Sequence, residues 1–189
     1  DSVTIDSSKF LGVQSSSSNH SSIYGSGADA AGLKIKNNTF TNGGYYAIYL
    51  KSNNTSSSPT GLEISNNIFT DTYSGIYAKY FDAVTIRGNT IKGDDMYSKG
   101  IRLEYCDGAN VVEDNQINAP DLTYGIYITL CQSTSGSEAK IINNLINAED
   151  YGITLYQYNT YQNVYYNSVK VRDNNALYYY SSNDLCDSR

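Results

Sequence analysis

The chain has 189 residues, 40% of them hydrophobic, enough for one domain with a continuous core. Its formal net charge of −6 argues against a nucleic-acid partner, which would want a basic face, and no apolar run approaches the roughly 18 residues needed to insert in a membrane. Charged residues make up only 17%; the polar bulk is Ser, Thr, Asn and 20 Tyr, a mix of strand and turn formers that fits an extracellular or cell-surface protein.

In chain order, the first predicted strands lie in VTIDSSKF (3–10), followed by a serine-rich stretch, SSSSNHSS (15–22), that carries the one histidine, His20. Two motifs then alternate to the end. The first is LKIKNNTF (33–40), LEISNNIF (62–69), VTIRGNTI (84–91), VVEDNQI (111–117), KIINNLI (140–146) and VYYNSV (164–169). Between its copies stand AIYLKSN (47–53), GIYAKYF (75–81), GIRLEYC (100–106), GIYITLC (125–131), GITLYQY (152–158) and ALYYYSS (176–182). Both alternate apolar and polar residues with period two, the signature of strands, and no helical period is present.

The aligned asparagines Asn38, Asn67, Asn89, Asn115, Asn144 and Asn167 are 29, 22, 26, 29 and 23 residues apart. Such irregular spacing predicts fixed strands joined by loops of variable length. Coils of about 22 residues, stacked at the ~4.8 Å strand spacing, form a right-handed parallel β-helix of six or seven coils with three parallel sheets. Inward ladders follow: Ile35, Ile64, Ile86, Val112, Ile141 and Val164; Phe40, Phe69, Ile91, Ile117, Ile146 and Val169; and Ile48, Ile76, Ile101, Ile126, Ile153 and Leu177. The asparagines are expected to form an amide ladder in a turn, where Asn tolerates a left-handed backbone. The solenoid domain is expected to span residues 1–183, with a tail at 184–189. No leader and no capping helix is read, which suggests either a piece of a longer solenoid or ends that stack copy on copy.

These repeats resemble the parallel β-helix repeat family, whose members include pectate-lyase-like enzymes. The resemblance spans nearly the whole chain and implies a fold, while leaving the chemistry to the site. In the enzymes it implies a site on the outer face of the sheet built by the second motif. That face carries Tyr49, Tyr77, Arg102, Tyr127, Thr154 and Tyr178 in one file and Lys51, Lys79, Glu104, Thr129, Tyr156 and Tyr180 in the next. Tyr49, Tyr77, Arg102, Tyr127, Tyr156 and Tyr178 are therefore the candidate residues for binding a polysaccharide, a glycoprotein surface or a second copy of the chain.

Two functions compete. One is a non-catalytic structural or adhesive module that contacts glycans through an exposed tyrosine ladder or assembles end to end, with no cofactor. The other is a polysaccharide lyase using Ca2+, held by Asp94, Asp95, Asp121 or Glu104, with Arg102 or Lys99 abstracting the proton α to a uronate carboxylate. Aspartates in turns are ordinarily turn formers, which favours the module. A glycoside hydrolase would need two facing carboxylates, and beyond the GDD at 93–95 the matching pattern is missing. Cys106 and Cys131 occupy equivalent positions in neighbouring coils, close enough for a disulfide, while Cys186 is left over.

Overall fold

The computed structural model describes residues 3–17, 20–27, 30–53, 58–94 and 96–181. Asp95 and Cys186, singled out above, lie outside the described residues. The chain winds into a parallel β-helix whose three sheets each contain seven strands. The first sheet stacks β1 (Thr4–Asp6), β4 (Lys34–Lys36), β7 (Glu63–Ser65), β10 (Thr85–Arg87), β13 (Val111–Glu113), β16 (Ala139–Ile142) and β19 (Gln162–Tyr165). The second stacks β2 (Lys9–Leu11), β5 (Thr39–Thr41), β8 (Ile68–Thr70), β11 (Thr90–Lys92), β14 (Gln116–Asn118), β17 (Leu145–Ala148) and β20 (Ser168–Val171). The third is built from longer strands: β3 (Ser21–Ser26), β6 (Tyr46–Lys51), β9 (Ser74–Lys79), β12 (Lys99–Glu104), β15 (Tyr124–Thr129), β18 (Tyr151–Tyr156) and β21 (Leu177–Tyr180).

Register follows the predicted ladders, with Ile86 paired to Ile64 and Val112, Ile91 to Phe69 and Ile117, and Ile101 to Ile76 and Ile126. These isoleucines are fully buried, as are Phe40 and Phe69. Phe10, Phe40 and Phe69 stack with ring centroids 4.8 and 4.9 Å apart, so the aromatic rungs pack face against face along the axis. No coil could bury these side chains alone; each lends its neighbours an apolar surface, and stability adds up along the rod.

One corner is held by the asparagine ladder. Asn67 Nδ2 donates to Asn89 Oδ1 at 3.0 Å and to the Ile35 carbonyl at 2.9 Å, while its Oδ1 accepts from the Asn38 backbone and side-chain nitrogens. The same bonds recur through Asn89, Asn115 and Asn144 to Asn167. The left-handed backbone belongs to the preceding residue: Asn37, Asn66, Gly88, Asp114, Asn143 and Tyr166 have positive φ, and the ladder asparagines do not. That corrects the expectation for the ladder residues. Their side chains must point inward to meet each other, and the residue before them makes the bend.

The third sheet carries a second close contact. A Cβ added to Gly75, Gly100 or Gly125 would meet the carbonyl oxygen of the next glycine in the column at 2.4 to 2.7 Å. These glycines let adjacent coils approach where the chain bends into the sheet.

Candidate functional site

A regular strand sends residues three apart to opposite faces. In the third sheet the bend at the Ala/Gly column breaks this rule, so Tyr46 packs on Tyr49 and Tyr124 on Tyr127, with centroids 5.8 and 5.1 Å apart. The outer face therefore carries a file missed by simple alternation, Tyr46, Ser74, Lys99, Tyr124 and Tyr151, in register on β6, β9, β12, β15 and β18. The residue just before each Ala or Gly was the signal that could have found it.

Three files meet around Arg102. Its guanidinium lies 4.7 Å from the Tyr77 ring and 5.9 Å from Tyr127, bonds Glu104, and donates through Nη1 to the Tyr46 hydroxyl at 3.4 Å. Among the described residues the buried Arg102 Nε has no hydrogen-bond partner. Glu104 also accepts from Lys79 and, at 3.0 Å, from the Tyr77 hydroxyl. Burial would raise its carboxyl, but hydrogen bonds from Lys79 and Tyr77 and the charge of Arg102 more than offset this and hold it below the ordinary carboxylate range.

Lys99 differs from its neighbours. Its ammonium sits 4.8 Å from the Tyr124 ring centroid and 5.1 Å from that of Tyr127, and among the described residues it pairs with no carboxylate. Desolvation, then the charge of Arg102, push it down to about 8, against the pull of Glu104. Burial likewise raises the hydroxyls of Tyr46, Tyr77 and Tyr127, so these tyrosines stay neutral near pH 7.

The tyrosine ladder is less open than anticipated at its centre. Tyr77 is only 6% exposed and Tyr46 4%, because their own neighbours cover them; Tyr49, Tyr127, Tyr156 and Tyr178 are half-buried. Tyr156 stacks on Tyr127 and Tyr180, and Tyr178 packs at a tilt against Tyr151, farther along the rod, where Thr154 interrupts the file.

Among the described residues the candidate acidic side chains do not converge. Glu104 is engaged by cations, Asp94 is exposed in its turn, and Asp121 pairs with Arg172 at 3.4 Å. Among the described residues no three His, Cys, Asp or Glu side chains gather where a metal could bind. Cys106 and Cys131 are stacked in the core as free thiols, the Cys106 amide donating to the Cys131 sulfur at 3.3 Å, so the disulfide allowed by their spacing is not formed. Burial raises the Cys131 thiol and keeps it protonated.

Residues 2–186 match the family model described as periplasmic copper-binding protein (NosD). The chain belongs to the NosD family. NosD is a right-handed parallel β-helix family, in agreement with the resemblance drawn from the repeats. No curated protein and no solved structure matches this NosD-family chain.

Proposed function

We propose that this chain is an extracytoplasmic, non-catalytic β-solenoid, periplasmic like the family to which it belongs, that holds glycans on the outer face of its third sheet. The observation that carries the reading is the set of half-buried tyrosines Tyr49, Tyr127 and Tyr156, joined through the covered Tyr77 and interleaved with Arg102 and Lys99. Aromatic faces take the C–H surface of sugar rings, and fixed N–H donors take their hydroxyls. The rungs repeat every ~4.8 Å, comparable to the advance of one sugar along an extended chain.

The family description names copper, and the described residues fit it poorly. Copper favours convergent imidazole, thiolate or thioether ligands. Here Cys106, Cys131 and Met96 are sealed in the core, and His20 is bonded to Ser15 at 2.9 Å in a distant segment. The calcium lyase reading loses support in the same way, since its described carboxylates are dispersed or already paired.

The test is affinity electrophoresis of the purified chain through gels containing neutral and acidic polysaccharides. Tyr49→Ala and Tyr127→Ala should abolish the retardation of the wild type while circular dichroism stays unchanged. Retardation equal to wild type in both variants would overturn the reading.

A further inference from the structure

Resting on that reading, we infer that the site selects acidic glycans, with Lys99 and Arg102 receiving a sugar carboxylate between the Tyr124, Tyr127 and Tyr77 rings. Four observations converge on this. Among the described residues Lys79, Lys99 and Arg102 face a single carboxylate, Glu104, so the patch they form is cationic on a chain whose net charge is −6. Glu104 engages Lys79 and Arg102 and leaves Lys99 without a counter-charge among the described residues. Lys99 and Arg102 both lie against the Tyr127 ring, which fixes them side by side. The buried Arg102 Nε–H has no partner among the described residues, and a buried donor without an acceptor is costly.

A carboxylate answers each of these. It neutralises a half-buried ammonium that desolvation and Arg102 both disfavour, and it gives the guanidinium an acceptor after a small shift. The rings supply the apolar walls that a sugar needs and a free inorganic anion does not. No covalent step is involved. Ser74 and Tyr124, flanking Lys99 in its file, add no charge.

The experiment compares polygalacturonate with the same polymer after its carboxyl groups have been reduced to alcohols, both titrated into the full chain. Wild type should bind the acid form at least ~10-fold more tightly, the order of one charge-assisted hydrogen bond. Lys99→Gln, which breaks no ion pair among the described residues, should erase the preference, and Lys99→Arg should restore it. Arg87→Gln, on the first sheet and paired with Glu63, should leave it intact. Equal affinity for the two polymers would overturn the inference while leaving glycan binding standing. Binding of neither would overturn both. A loss in Arg87→Gln as large as in Lys99→Gln would mean that only bulk charge is sensed, and would also overturn the inference.

Discussion

The asparagine corner and the outer face of the third sheet are built by the same stacked coils, yet they obey different rules. In the corner one residue type repeats from Asn38 to Asn167, each amide spent on its neighbours and on a backbone carbonyl, and the ladder is buried through Asn144. On the outer face the tyrosine repeat is interrupted in the coil of β12 by Lys99 and Arg102, and among the described residues the Arg102 Nε has no hydrogen-bond partner. Uniform columns serve the stacking; the column that breaks its own repeat is the one on which the proposed binding rests.

The comparison breaks most sharply at Asn67→Ala. The substitution removes two bonds donated by Asn67 and leaves the backbone and side-chain N–H donors of Asn38 without their acceptor, all within the dry corner. At about 1–3 kcal/mol for each buried group left unpaired, the loss should be roughly 3 kcal/mol or more, read from the urea midpoint. A shift under about 1 kcal/mol would mean that the ladder contributes little beyond decoration.

Glu104→Ala should cost less, about 2 kcal/mol, because water partly screens the Lys79 and Arg102 charges that it strands. The Glu104 carboxyl is held below its ordinary value of 4.5 in the folded chain. Its contribution is therefore fully present above pH 4.5 and fades as the pH falls through the depressed folded value. Wild type and variant should converge in stability over that acid limb; a difference that stays constant would refute the ion-pair account.

The smallest effect is expected at Asn147→Ala. This residue also stacks amide on amide, donating to Asn118 at 2.9 Å, but on the wet outer face of the second sheet. Water replaces the lost bond, so the change should stay within ~0.5 kcal/mol. A loss as large as that of Asn67→Ala would show that burial is not what separates the two columns.

Most of the fold was legible because the repeats write it several times over. An inward isoleucine in one coil predicts its partner in the next, and Ile64, Ile86 and Val112 stand in the register read from sequence. One strand escaped: β3 runs through Ser21–Ser26, where serines mask the apolar alternation around Ile23. The candidate site was only half legible. Alternation placed Tyr49, Tyr77, Arg102 and Tyr127 outward, but could not find Tyr46 or Tyr124, because the bend at the Ala/Gly column arises from contact between coils. Nor could it foresee that Tyr77 would be covered, since that cover comes from side chains in neighbouring coils.

The central claim, that the third sheet's outer face is the binding surface, is tested most directly by tyrosine nitration with and without bound polysaccharide, read by peptide mass spectrometry. Tyr49 and Tyr127 should be protected by the glycan, while Tyr166, 83% exposed on the first-sheet side of the last coil, should react equally in both samples. Protection of Tyr166 with no change at Tyr49 and Tyr127 would place binding elsewhere on the solenoid and contradict the account.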